Sequence, residues 1–188
     1  MAEAVDQIGM AAAIAQRRLG ASYCEGATLA DGASVLLRPI RPTDGPQLQE
    51  ILLRLSDRTR YLRFHAPRKE FSPGELRSLT EIDGETHFAL AAFTVRPREL
   101  VAVGRFIRSS ETAGEAEIAL VVADALQGKG LGLLLLSRLC EAALERNITR
   151  FTGEMLDENR PMRDLLRKLG GRIGVASRGV CEIELALI

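Results

Sequence analysis

Hydrophobic and polar positions change period several times along the chain, and each change predicts an element. Val-Leu-Leu-Arg-Pro-Ile at 35–40 predicts a strand, with Pro39 placing it at an edge or a bend. Helical spacing over 47–55 follows, with Thr43 and Asp44 as capping candidates, and Ser56 can cap a second turn through Leu62. Ser72-Pro-Gly-Glu75 has the form of a capping box with proline at the first helical position, opening a helix to about Thr80. Two apolar runs, 87–95 and 100–108, flank Arg96-Pro-Arg-Glu99 and predict an antiparallel hairpin. The next strand, 115–123, carries an unbroken apolar, β-branched run at 118–122, as a strand covered on both faces does. An amphipathic helix over 130–146 and a strand over 148–156 come next. A helix over 160–169 is capped by Asn159 and stopped by Gly170-Gly171, and 172–177 with 180–188 closes the chain as a hairpin. Residues 1–25 show apolar positions at roughly helical spacing and predict an extra N-terminal helix. It either docks on the domain, pairs with a second subunit in a homodimer, or frays as a tail.

The candidate chemistry lies between the strand 115–123 and the helix after it, in Gln127-Gly-Lys-Gly130-Leu-Gly132. Glycines there leave the backbone bare where a helix begins. Its unpaired N–H groups and the positive end of its dipole suit a pyrophosphate at 128–133, with Lys129 adding a mobile positive charge. No Gly-x-x-x-x-Gly-Lys-Ser/Thr string occurs, which excludes the nucleoside-triphosphate loop. A dinucleotide fingerprint needs glycine at its sixth position, where Leu133 stands, although Asp157 after the strand 148–156 offers a ribose-binding acid. A loop that only turns the chain is the plain alternative.

Composition narrows the classes. The 188 residues are 46% hydrophobic, enough for one domain with a sizeable core. Lys and Arg number 25 against 25 Asp and Glu, which argues against a general affinity for nucleic acid or acidic membranes. No apolar run reaches membrane-spanning length and no secretory pattern opens the chain. With three isolated cysteines (Cys24, Cys140 and Cys181), a cytoplasmic location is the default expectation. Two histidines, His65 and His87, with no completing ligands nearby, predict no metal site.

Gln127-Gly-Lys-Gly130-Leu-Gly132 matches Gln/Arg-x-x-Gly-x-Gly/Ala, and so resembles the coenzyme A-binding segment of the GNAT N-acetyltransferase family. Asn159-Arg-Pro-Met162 and the helix to Gly170 resemble that family's Asn-x-x-Ala helix, with Gly171 where a phenylalanine is usual. More narrowly, Leu37-Arg-Pro-Ile-Arg-Pro-Thr-Asp44, Arg60-Tyr-Leu-Arg-Phe64 and 116–124 resemble the acetyltransferase domain of Pat-type bacterial protein lysine acetyltransferases. The resemblance spans about 33–188 and implies an α/β (α+β) GNAT fold. Its central sheet is expected to be mixed but mostly antiparallel, with about six to seven strands flanked by helices.

It also implies acetyl-CoA as donor and a primary amine as acceptor, protein lysine favoured over a small amine or amino acid. A non-catalytic acyl-CoA-binding module is the alternative of a different class. The donor's diphosphate would take residues Gln127, Gly128, Lys129, Gly130, Leu131, Gly132 and Leu133. Its pantetheine arm would add to the edge of Leu120, Val121 and Val122, where the family splays two strands, and to Asn159. Glu117 is the candidate base, with Glu115 behind it; a strand-end glutamate paired to an arginine or simply solvated is the competing reading. The tyrosine that many members place seven residues after the asparagine is Leu166 here, so no tyrosine acid carries over. The basic stretch Arg58, Arg60, Arg63, Arg68 and Lys69 is read as a solvated face, with the coenzyme's 3′-phosphate or an acidic substrate as the alternative.

Overall fold

Three apolar strands, β3 (His87–Thr94), β4 (Leu100–Arg108) and β5 (Glu115–Val122), make the centre of the sheet. Strands β3 and β4 are buried on both faces along most of their length, whereas β5 buries only Ala116 and Ile118, so its run at 118–122 is not fully covered on both faces as expected. The computed structural model describes residues 19–187. Around that centre lie β1 (Glu25–Thr28), β2 (Ser34–Pro39), β6 (Arg150–Leu156), β7 (Arg172–Ile173) and β8 (Val180–Ala186). The eight strands form one sheet in the order β1-β2-β3-β4-β5-β6-β8-β7. Every pairing is antiparallel except β5 with β6. The sheet has one more strand than the six to seven expected, the addition being β1 on the edge of β2.

Among the described residues five α-helices cover the two faces: α1 (Gly45–Arg54), α2 (Asp57–Phe64), α3 (Pro73–Thr80), α4 (Leu131–Leu144) and α5 (Arg160–Lys168). On one face Leu131, Leu135, Leu136 and Leu139 of α4 are fully buried against Phe88, Leu90, Phe106 and Ile118. Gly104 of β4 permits that approach, since a Cβ there would stand 2.7 Å from Leu139 Cδ1. On the other face Leu48, Ile51 and Leu52 of α1 pack on Ala89, Ala91, Phe93 and Val103. The alternation of β3 and β4 thus feeds two separate cores, as expected for a strand buried on both sides.

Local signals act largely as the sequence predicts. Ser72 and Glu75 form the reciprocal capping box at α3. Ser56 caps α2 through the Thr59 N–H. Asp44 differs: it stands at the start of α1, but its carboxylate does not cap that helix. Both its oxygens instead take the Arg38 guanidinium at 2.7 Å, and one accepts the Arg41 N–H at 2.8 Å. A buried arginine requires such a partner, and the pair fixes the end of β2 against α1.

Of the N-terminal helix expected over 1–25, residues 1–18 lie outside the described residues, while 19–24 run as bend and turn into β1 and are not helical. Leu19 is buried, its N–H donating to the Glu145 carboxylate at 2.9 Å and its carbonyl accepting from Arg146 at 2.8 Å. Among the described residues no helix is long and apolar enough to cross a membrane.

Candidate active site

The chain leaves β5 through a short turn (Asp124–Leu126) and enters α4 through Gly128 and Gly130, both left-handed with φ of 72° and 92°. Side-chain-bearing residues are strained in that region, so glycine is what lets the chain turn here. Gly130 is the N-cap of α4, and no side chain caps the helix. Its carbonyl accepts the Leu134 N–H at 3.0 Å, so the N–H groups of 131–133 precede the first intrahelical bond. They lie at the positive end of a 14-residue helix dipole.

Beside this loop the sheet opens. β5 pairs with β6 only at Glu115↔Arg150, Ala116↔Phe151 and Glu117↔Thr152, although the strands run on to Val122 and Leu156. The Glu115 carbonyl accepts from Ser109 on the β4 side, and the Ala123 N–H donates to Val101 on the same side. By alternation, the peptide groups of Ile118, Leu120 and Val122 face the opened side. A cleft of about 1680 Å³ occupies the opening. Residues 117–122, Gln127, Gly128, Gly130, Gly132 and Leu133 line one wall, with 152–155 and Asn159 opposite.

Two of the expected loop residues do not line it. Leu131 is fully buried in the core beneath. The Lys129 ammonium is held at 2.8 Å by Asp31 in the β1–β2 turn, rather than being a mobile charge over the loop. That ion pair keeps the Asp31 carboxyl below the usual carboxylate range.

Gln127 contributes through its side chain, whose Nε2 donates to the Val122 carbonyl at 3.0 Å and to the Thr59 hydroxyl at 3.3 Å. Asp124 completes this brace by accepting from the Ser56 N–H, the Ser56 hydroxyl and the Thr59 hydroxyl at 2.9, 2.7 and 2.6 Å. Burial opposes its charge, but those hydrogen bonds prevail and lower its pKa. The start of α2 is thereby fastened to the turn before the glycine loop. Asn159 caps α5 with its Oδ1 accepting the Met162 N–H at 3.2 Å, while the residue lines the cleft.

The two candidate glutamates are in different circumstances. Glu117 is exposed to the cleft at the point where β5 and β6 part. Arg63 of α2 faces it, and the attraction of Glu117 partly offsets the burial that lowers the Arg63 pKa. Glu115 is paired with Arg150 at 3.1 Å, which also reaches Glu184 at 3.4 Å, and Glu115 does not line the cleft. Leu166 is buried, and no tyrosine lines the cleft among the described residues. The basic stretch divides: Arg63 lines the cleft, while Arg60 pairs with Asp57 and Arg68 with Glu75.

An uncapped helix start beside a parted pair of parallel strands is the arrangement expected of a transferase that takes a diphosphate-bearing thioester. The profile of the Acetyltransferase (GNAT) domain matches residues 34–172. An acetyltransferase of Pseudomonas aeruginosa is 35% identical over 145 residues, covering 76% of this chain and 77% of that one. The acetyltransferase Pat of Mycolicibacterium smegmatis is 32% identical over 134 residues, or 71% of this chain. The match spans only 40% of Pat's length. The crystal structure of the GNAT domain of S. lividans PAT superposes with a TM-score of 0.80 at 30% identity, covering 87% of this chain and 96% of that one. The chain belongs to the GNAT acetyltransferase family. It is an N-acetyltransferase.

Proposed function

We propose that the cleft takes acetyl-CoA and that the enzyme passes the acetyl group directly to a primary amine, with a protein lysine as the favoured acceptor. The observation that carries this reading is the early end of the β5–β6 pairing at Glu117↔Thr152 beside the uncapped start of α4. When bound, the coenzyme supplies an activated acyl thioester. The N–H groups from Gly128 to Leu133 hold its diphosphate, and the open edge at Leu120 and Val122 hydrogen-bonds the amides of its pantetheine arm as a sheet edge holds a peptide. The peptide groups of Val121, expected on that edge, turn instead to β4. The Asn159 side chain carries two N–H donors on Nδ2 for the same arm.

Glu117 is assigned as general base. A lysine amine has a pKa near 10.4, so only about 0.04% is unprotonated at pH 7 and a proton must be removed as the amine attacks. Glu117 stands exposed where the strands part, within reach of a thioester lying along the β5 edge, directly or through one water. The departing thiol has a pKa near 8.5 and can leave without a tyrosine acid.

The wall opposite β5 supports a cationic acceptor. Glu117 is in register with Thr152, and on the same face Glu154 of β6 stands directly opposite Glu182 of β8, both exposed and lining the cleft. Like charges directly opposed destabilise a strand pair, and a bound ammonium relieves them. Thiol release measured with acetyl-CoA, lysine peptides and a panel of small amines tests the reading. Turnover with lysine peptides is expected. Turnover confined to small amines would overturn the acceptor, and no thiol release across the panel would overturn the transfer.

A further inference from the structure

Three arginines in the described chain are more than nine-tenths buried, and two of them are fully accounted for. Arg38 is paired with Asp44. Arg146 donates to the carbonyls of Gly84, Ala142 and Leu19 and lies beside Glu145. Arg105, in the middle of β4 and 6% exposed, has only the Leu79 carbonyl and the His87 ring, each 3.2 Å from Nη1. Arginine has no acceptor, so it donates to His87 Nε2, which places the imidazole proton on Nδ1. Among the described residues no carboxylate pairs with Arg105.

The guanidinium lines a hollow of about 240 Å³ between β4–β5 and helices α1 to α3, large enough for several waters or a small polar group. Arg63 and Arg68 line it as well, and Glu75 is the one acid in its wall, already paired with Arg68 and capping α3. Burial and the charge of Arg63 together push the Arg105 pKa down to about 10. Arg63, Phe64, Ala119 and Val121 line both this hollow and the main cleft, so it is an annex of the donor site, next to Glu117.

We propose that this annex binds a carboxylate carried by one of the two substrates, at the far end of the acyl group or on the amine acceptor. A buried cation without a counter-charge is costly, and a guanidinium offers two parallel N–H donors to a carboxylate. Apolar residues such as Leu48, Phe71 and Val103 line the rest of the hollow and accommodate the methylenes that carry such a group. The proposal rests on the reading that the main cleft holds an acyl-CoA.

Calorimetric binding of succinyl-CoA against butyryl-CoA tests the first source, since these four-carbon chains differ in the terminal carboxylate. Acetyl transfer to free amino acids against their carboxamides tests the second. A preference of about tenfold or more for the acid in either comparison supports the annex and names the source. Equal treatment in both comparisons overturns it. Arg105→Met, which retains volume, should bring the preference close to one. Arg63→Gln, on the shared wall, should reduce it too and answers the question if the first variant does not fold. A preference that survives in a variant with native melting behaviour overturns the assignment. Unacylated coenzyme A reports separately on the donor site. If the wild type binds it but shows no carboxylate preference, only the annex fails; if coenzyme A does not bind, the donor reading fails.

Discussion

Replacing Gly130 by alanine separates the backbone geometry of the loop from everything else in the cleft. Gly130 has φ of 92°, and a Cβ built there meets no protein atom within 4 Å. The cost is therefore conformational: about 1–2 kcal/mol for a side-chain-bearing residue in the left-handed region. At about 2–4 °C per kcal/mol for a domain of this size, the melting temperature should fall by roughly 2–8 °C. If the chain relaxes, the N–H groups leading into α4 rotate away from the diphosphate. Losing one hydrogen bond to a charged group, worth about 1.5–3 kcal/mol, raises the Kd for coenzyme A about ten- to a hundredfold. Gly179→Ala is the control. Its φ is 82°, its Cβ also meets nothing within 4 Å, and it lies in the β7–β8 turn, so it should lose similar stability and keep coenzyme affinity. A Gly130→Ala protein that loses stability but binds coenzyme A within about twofold of wild type refutes the loop as the diphosphate site.

Glu117→Gln should lower kcat by about 10²–10⁴ while donor affinity holds, whereas Glu115→Gln, which removes a partner of Arg150, should leave kcat within a few fold; the reverse order in steady-state kinetics would overturn the base assignment. Lys129→Ala should change the Kd for coenzyme A less than about fivefold by calorimetry, because Asp31 holds that ammonium; a larger loss would mean it reaches the donor. Asp83 accepts the N–H groups of Glu85, Thr86 and His87 at 2.8, 2.9 and 2.9 Å. Burial opposes its charge, yet those bonds and the Thr86 hydroxyl hold its pKa at about 2. A depressed carboxylate stabilises the fold above its unfolded value of about 3.8, and that stability is lost as pH falls from there toward 2. Melting curves of Asp83→Ala should therefore be lower than wild type at pH 5 and converge with it near pH 2; parallel curves would contradict this.

What could be read from the residues divides along the range of the interactions. The capping box at Ser72, the cap at Asn159, the hairpin around Arg96-Pro97 and the glycine loop are local, and each forms where its own few residues require. Strand β1 escaped notice because Glu25-Gly-Ala-Thr is short and only half buried, and it is held in place by pairing with β2. The parting of β5 from β6 left no mark, since 118–122 is an unbroken apolar run and no proline in Thr152-Gly-Glu-Met-Leu156 bars a strand from pairing along its length. Lys129 read as free because Asp31 lies far away in the chain, and the Asp124 link to Ser56 and Thr59 was hidden for the same reason. Nothing in the run 100–108 marks Arg105 as buried; its burial follows from α3 folding over β4, as the contact with the Leu79 carbonyl shows.

In the proposed complex the donor's polar groups meet the backbone at the start of α4 and along the open edge of β5. Amide hydrogen exchange, compared with and without saturating coenzyme A, tests that residue by residue. Exchange should slow at Gly128 to Leu133 and at Leu120 and Val122, with little change along β1, β2 and the β7–β8 turn. Protection that appears elsewhere while those amides exchange as fast as in the free enzyme would contradict the account.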